Sequence, residues 1–463
     1  MKNGNYTRRE FIKRQSMGGL GAVLATGVAP TLFANSAKVS ETPAVLGGPP
    51  VRTKGWSRWP IWEPAADEKQ VLAVLRSGVW SRAAVVSEFE KKWAATIGAK
   101  RCLAVVNGTN ALITSLKQLD IGGGDEVIVT PYTWIATVQA ILQTGAMPVF
   151  ADVDPETFQI DPEQVAAKIT PRTRAILPVH ILGLPADMVR IMQIARKHNL
   201  VVVEDCCQAW LAEINHKKVG TFGNAGCFSF QNSKNITTGE GGAIVSDDEK
   251  FMDRCYSYHN FGRQAGAAIG GVTGSPCIML GTKLRFTEYQ AAIGLAQLQR
   301  LEEQTATRVE NAAYLRSKIK EIPGILPYRL YDNVTRAVFH LFPFRYQKEQ
   351  FQGLSRAAFL EALKAEGIPC SEGYTSDLNK SLYLKDAFQS KNFRLMYPKE
   401  MLDFDSYVER NRCPKNDQLC EEAVWLSQNM LLGTKSDMDD IAAAIEKIHR
   451  AAGKIRAQTS QKA

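Results

Sequence analysis

The sequence predicts an α/β protein: a largely parallel sheet covered by helices on both faces, followed by a smaller C-terminal domain. Two features of the chain carry that prediction. Five short β-rich runs, Cys102–Val106, Val127–Thr130, Met147–Phe150, Ala175–Val179 and Val201–Glu204, alternate with helical stretches at Ala111–Leu119, Ile135–Thr144, Pro162–Lys168 and Met188–His198, the pattern of strand–helix–strand units. From about Glu302 the pattern changes to long polar-faced helices, one further strand-like run at Ala337–Phe342, and the helix Ala357–Glu366. A chain of 463 residues also exceeds what one compact core holds, which agrees with two domains or more.

The chain begins with what reads as an address. Thr7-Arg8-Arg9-Glu10-Phe11-Ile12-Lys13 precedes a glycine-rich apolar run, Met17 to Phe33, and small residues at Ala34-Asn35-Ser36-Ala37. Charged, apolar and small-residue regions in that order make a secretory signal, and the paired arginines with Phe11 make it resemble the twin-arginine type. Cleavage within residues 34–37 and export of an already folded protein are expected, with an uncleaved anchor as the alternative. This segment holds five bases against one acid, so it supplies much of the formal charge of +9. The body that follows is only mildly basic and has no basic block interleaved with aromatics, which excludes a nucleic-acid role and leaves small anions as ligands. Nine scattered cysteines without a Cys-x-x-Cys pair give neither a disulfide framework nor a zinc site.

From Glu63 to Gly98 the spacing is helical, with Val71, Leu72, Val74 and Leu75 on one face and Val86, Phe89 and Trp93 on another. In the sheet that follows, ligands are expected at the carboxyl ends of the strands. After the first run comes Asn107-Gly108-Thr109-Asn110, a helix start whose free N–H groups suit a phosphate, although a plainly capped helix reads the same way. After the second comes Trp134, which could stack on a flat ligand or belong to the core. After the fifth, Glu204-Asp205 follow three valines, so these acids are expected to be buried, and a buried acid needs a cationic partner. His180, after the fourth run, reads as a hydrogen-bonded structural histidine. The glycine fingerprint of dinucleotide-binding proteins is absent after these strands, which disfavours a nicotinamide enzyme.

The stretch Cys227–Ser246 reads as strand, loop, strand, with Lys234 at the end of the first strand and Gly239, Gly241 and Gly242 before the second. Burial there would lower the lysine's pKa and make it a nucleophilic amine, while a surface lysine in a hairpin is the plainer alternative.

Taken together, Asn107-Gly-Thr-Asn-Ala-Leu112, Gly124-Asp-Glu-Val127, Asp152-Val-Asp154, Pro178-Val-His-Ile-Leu-Gly183, Glu204-Asp205 with Gln208, and Phe228-Ser-Phe-Gln-Asn-Ser-Lys234 with Gly239-Glu-Gly-Gly242 resemble the DegT/DnrJ/EryC1/StrS family of pyridoxal-phosphate-dependent sugar aminotransferases. The resemblance continues through Gly281-Thr-Lys-Leu-Arg-Phe-Thr-Glu-Tyr-Gln-Ala-Ala292 and Trp425-Leu-Ser-Gln-Asn-Met-Leu-Leu432 and covers nearly everything after residue 45. It implies the aspartate-aminotransferase-like fold (fold type I), a homodimer with shared active sites, and pyridoxal 5′-phosphate as cofactor. On this resemblance the domains divide as 1–37 signal, 38–62 N-terminal arm, 63–301 cofactor-binding large domain and 302–463 small domain.

The resemblance also assigns roles. Lys234 matches the lysine that holds the cofactor and moves the proton. Asp205 faces the pyridine nitrogen, Gln208 the phenolic oxygen, and Trp134 the ring. Gly108, Thr109, Asn110 and Ser229 match the phosphate cradle. One position departs from the family: an asparagine that reaches the neighbouring subunit's phosphate is here Lys283, which could bind that phosphate by charge or serve a substrate anion. Leu46-Gly-Gly-Pro-Pro-Val-Arg52, Trp59-Pro-Ile-Trp62 and Ile368-Pro-Cys-Ser371 with Gly373-Tyr374 resemble the branch that aminates keto-cyclitols of the scyllo-inosose type, commonly from glutamine; relatives acting on nucleotide-linked keto-sugars share some of these motifs. A sugar dehydratase or epimerase is the alternative enzyme, although the family's dehydratases commonly replace the lysine retained here as Lys234. A non-catalytic binding or regulatory relative is the alternative from another class. His340 could touch substrate or be structural, residues 380–408 have no assigned place, and residues 452–463 are expected to fray.

Overall fold

The computed structural model of the protein describes residues 41–266, 276–375 and 377–460. The signal-like segment 1–37 lies outside the described residues. Seven strands form the main sheet: β1 (Arg101–Val105), β2 (Glu126–Val129), β3 (Met147–Phe150), β4 (Thr173–Leu177), β5 (Val201–Asp205), β6 (Ala225–Ser229) and β7 (Gly242–Ser246), in the order β1-β7-β6-β5-β4-β2-β3. The neighbours from β6 to β3 are parallel, and β7 runs antiparallel between β6 and β1. The sheet is thus mixed and largely parallel. The two strands flanking Lys234 are not a peripheral hairpin but fully buried members of this sheet.

Both faces are covered, as the continuous apolar runs require. On one side α2 (Ala84–Ile97), α5 (Met188–His198) and the start of α7 (Glu288–Ile319) bury Phe89, Trp93, Ile191, Ala291 and Leu295. On the other, α3 (Gly108–Gln118), α4 (Ile135–Thr144) and α6 (Glu249–His259) bury Leu112, Leu116, Val138, Ile141 and Phe251. The stretch 63–98 is two helices, α1 (Pro64–Ser77) and α2, because Gly78 breaks the run at φ 71°. The 32-residue α7 runs straight through positions 301 and 302, so no interruption of the chain marks a boundary there. Its first turn is fixed by the Glu288 carboxylate, which accepts the N–H groups of Ala83, Val85 and Val86 and ties α7 to α2.

A second, antiparallel sheet joins β8 (Ile325–Pro327), β9 (Leu341–Tyr346) and β10 (Ala423–Ser427). The strand expected over Ala337–Phe342 begins later, at Leu341. Before it, Phe339 takes a φ of 50°, and Val338 is tied to the main domain, its N–H donating to Gly183 O and its carbonyl accepting from Asn235 Nδ2. The C-terminal helix α11 (Lys435–Ser460) buries Ala451, Ala452 and Ile455, so the fraying expected from residue 452 does not occur at these positions.

The stretch left without a place proves structural. Helices α8 (Leu382–Gln389), α9 (Lys391–Met396) and α10 (Phe404–Arg410) cover the β3 edge of the main sheet. Tyr407 Oη donates to Pro148 O at 2.7 Å, and Tyr397 Oη reaches Asp125 O and Gly145 O at 2.9 Å each. Asn411 Oδ1 accepts the Phe150 N–H that an absent eighth strand would have taken. Among the described residues no helix is long and apolar enough to cross a membrane.

Candidate active site

At the carboxyl ends of β5 and β6 lies a cavity of about 540 Å³. Its floor is the start of α3. Asn107 caps that helix, its Oδ1 accepting from Asn110 N at 2.9 Å, and Ala111 N is the first donor into the helix proper, to Asn107 O. Gly108 and Thr109 precede that ladder, so their N–H groups are left for a ligand. Close approach of the surrounding backbone explains the glycines: a Cβ on Gly108 would lie 2.7 Å from Cys207 Sγ and 2.9 Å from Ser229 Cβ, and one on Gly242 would lie 2.4 Å from the Asn107 carbonyl carbon. The Lys234 loop can return beside the helix start only on a residue without a side chain.

Asp205, the last residue of β5, is buried at the wall. Thr137 Oγ1 donates to its Oδ2 at 2.8 Å and Cys207 N to its Oδ1 at 3.1 Å. Lys234 faces the same space. Its ammonium makes no hydrogen bond or ion pair among the described residues, and burial lowers its pKa from the ordinary 10.5, against an opposing pull from Cys207 and Asp205. This is the desolvated amine of the two alternatives, because β6 and β7 carry the loop into the core. Gln208 is held at both ends: Leu182 N donates to its Oε1 at 2.9 Å, and its Nε2 donates to Tyr374 Oη at 3.3 Å. Leu182 itself adopts a φ of 64°, an uncommon conformation for a branched residue. Ser229 ends β6 with its hydroxyl accepting from Gln231 N, and Trp134, 61% exposed, stands at the cavity mouth.

Gly108, Thr109, Trp134, Asp205, Gln208, Ser229 and Lys234 therefore line one cavity. Asn110, expected with them, does not, and Lys283, expected at the neighbouring subunit's phosphate or at a substrate anion, lies elsewhere on this chain. Asn110 turns back on the helix start, its Nδ2 donating to Asn107 Oδ1, and Asn107 takes its place in the lining. Lys283 is exposed, paired with Asn260 in an isolated bridge outside this cavity. Thr137, Cys207, Tyr374 and Trp425 line the cavity without having been singled out as site residues; Tyr374 and Trp425 stood inside recognised motifs, whereas Thr137 carried no signal at all.

Glu204, one residue before Asp205, points the other way and needs no cation. Its carboxylate accepts the N–H groups of Gly220, Phe222 and Gly223 at 2.7–2.8 Å and lies 3.2 Å from His180 Nε2. Because Ala186 N donates to His180 Nδ1, the ring's hydrogen sits on Nε2 and is given to Glu204. His180 is structural.

The model of the DegT/DnrJ/EryC1/StrS aminotransferase family matches residues 63–402. The chain belongs to this family. A putative L-glutamine:3-amino-2,3-dideoxy-scyllo-inosose aminotransferase of Streptoalloteichus tenebrarius is 38% identical over 416 residues, 88% of this chain and 97% of the relative. An L-glutamine:2-deoxy-scyllo-inosose aminotransferase of the same organism is 34% identical over 431 residues, 89% and 99%. Among solved structures, an aminotransferase from Psychrobacter cryohalolentis superposes with a TM-score of 0.75 at 32% identity, covering 86% of this chain and all of that one. Placed in the DegT/DnrJ/EryC1/StrS family, the cavity is where this chain's aminotransferase chemistry is to be sought.

Proposed function

We propose that the protein is a pyridoxal-phosphate-dependent aminotransferase that takes the amino group of glutamine and delivers it to the ketone of a cyclitol. The observation that carries this is the convergence of an unpaired, half-buried amine, Lys234, and a buried carboxylate, Asp205, on one cavity floored by a helix start. That donor set fits the cofactor: N–H groups for a phosphate, a carboxylate for a protonated ring nitrogen, and a nucleophilic amine. Bound there, pyridoxal phosphate supplies the electron sink that lets an amino group leave one carbon and join another. The glutamine:scyllo-inosose relatives support the donor and the acceptor.

The chain's own residues supply the rest. The α3 start and the Ser229 hydroxyl bind the phosphate oxygens. Asp205, fixed by Thr137 and the Cys207 N–H, would hold a proton at the ring nitrogen. Lys234 Nζ, its pKa lowered by burial, would bind the cofactor and would carry the proton to and from the substrate carbon. Trp134 covers the mouth against water. The protein acts as a homodimer in which Lys283, turned away from its own cavity, binds the neighbouring subunit's phosphate by charge. The twin-arginine segment exports it folded. The purified holoprotein should show a visible cofactor band that glutamine bleaches and scyllo-inosose restores; a band that glutamine leaves untouched would overturn this function.

A further inference from the structure

His340 lines the same cavity, and the elements packed around it determine its chemical form. The residue follows Phe339 in its left-handed turn and lies against Gly183, where a Cβ would come within 2.7 Å of His340 N. Its ring meets Trp210 edge to face at 5.8 Å and is 6% exposed. On the inner side Nδ1 lies 3.3 Å from Asn235 Oδ1. Asn235 is oriented by its other end, because Nδ2 donates to Val338 O at 3.1 Å, so the atom facing His340 is a carbonyl oxygen and can only accept. Nδ1 must therefore carry the hydrogen.

A neutral ring with its hydrogen on Nδ1 has a lone pair on Nε2, which has no partner among the described residues. The ring is neutral because burial, the Lys234 ammonium and the Arg308 guanidinium hold it well below its usual range. Arg308 keeps this influence because no acid pairs with it among the described residues. It is fully buried, donates twice to the neutral Gln428 Oε1, and has no partner at Nη1. The carboxylates in the cavity lining are Asp205, already engaged by Thr137 and Cys207, and Glu240.

We infer that His340 is a specificity residue of the amino-acceptor site: an imidazole fixed in its Nδ1–H form by Asn235, whose Nε2 accepts a hydrogen bond from a hydroxyl of the acceptor. The inference rests on the keto-cyclitol function proposed above and names one contact within it. An anion would meet a lone pair there, and a cation would meet the charges of Lys234 and Arg308. A neutral hydroxyl donor satisfies both constraints.

The test uses the holoenzyme with scyllo-inosose as acceptor. His340→Phe should raise KM for inosose about 10- to 100-fold, the loss of one buried hydrogen bond, with KM for glutamine changing far less. Equal rises for both, or none, would overturn the inference. Should that variant fail to fold, Asn235→Asp serves instead. A carboxylate at Nδ1 favours the imidazolium, so KM for inosose should acquire a rise toward low pH that wild type lacks; unchanged pH profiles would count against the contact. Labelling the six histidines with ¹⁵N gives a direct readout. The resonance lost in His340→Phe should report a hydrogen on Nδ1 and shift at Nε2 when inosose binds, and a hydrogen on Nε2 would refute the assignment. Failure of wild type to convert inosose while glutamine still bleaches the cofactor would overturn the acceptor class and this contact with it. Normal conversion without dependence on His340 would overturn this contact alone.

Discussion

The cavity wall and the cover of the β3 edge are both made of polar side chains set among buried backbone, yet they are built on opposite rules. In the cover, polar tips meet partners: Tyr397, Tyr407 and Asn411 satisfy carbonyls and an N–H of the edge strand and its neighbours. In the wall, polar groups are left wanting: Lys234 Nζ, His340 Nε2 and the first N–H groups of α3 face open space. The cover therefore adds stability, since a buried polar group stranded without a partner costs on the order of 1–3 kcal/mol, and the wall keeps its groups open for a ligand. Adjacent residues of β5 also divide between fold and site: Glu204 is saturated by three N–H groups, while Asp205, held by Thr137 and the Cys207 N–H, lines the cavity with the lysine.

Substitutions in the two regions should separate activity from stability. The largest effect is expected from Lys234→Ala, which should reduce turnover by about 10⁴-fold or more while leaving the far-ultraviolet circular dichroism unchanged, since nucleophile and proton carrier are lost together. Full residual activity would sink the proposed function. The companion Lys234→Met should raise the melting temperature of the cofactor-free protein at neutral pH. The folded state holds this lysine with a lowered pKa, so the wild-type penalty is fully present below that pKa and fades as pH rises toward 10.5, and the difference between the two proteins should shrink over the same interval.

Asp205→Asn should lower kcat by about 10²- to 10³-fold with the fold intact, as expected on removing a charge aimed at the reacting system. Steady-state kinetics with glutamine and inosose would read it, and a loss confined to melting temperature would mark Asp205 as merely structural. Tyr407→Phe should do the reverse, costing about 1–3 kcal/mol in urea unfolding by stranding Pro148 O while kcat stays put. The smallest effect belongs to Lys283→Ala, with cofactor dissociation a few-fold faster and the cofactor-free melting temperature unmoved. Unchanged cofactor affinity there would refute the phosphate role.

Much of the fold was legible because it rests on local periodicity. The alternation of apolar runs and helical stretches located β1 to β5 and the helices between them, and the motifs located Lys234, Asp205 and the α3 start. The misses share a cause. Ala337–Phe342 looked like a strand because its residues are apolar, but Phe339 bends at φ 50° to bring His340 to the cavity, and that bend is imposed by Gly183 and Asn235 from elsewhere in the chain. Asn110 was grouped with the cradle because of its neighbours, although its side chain is drawn back by Asn107. The segment 380–408 had no readable purpose because its partner is the edge of β3, more than two hundred residues earlier.

By itself, then, the sequence determined which groups could do chemistry and on what scaffold, because residue type and short-range spacing set both. Only the tertiary structure decided which of those groups are paired and which are left open. It sent Glu204 to three amides and left Lys234 without a partner, because hydrogen-bond satisfaction depends on backbone brought from distant parts of the chain.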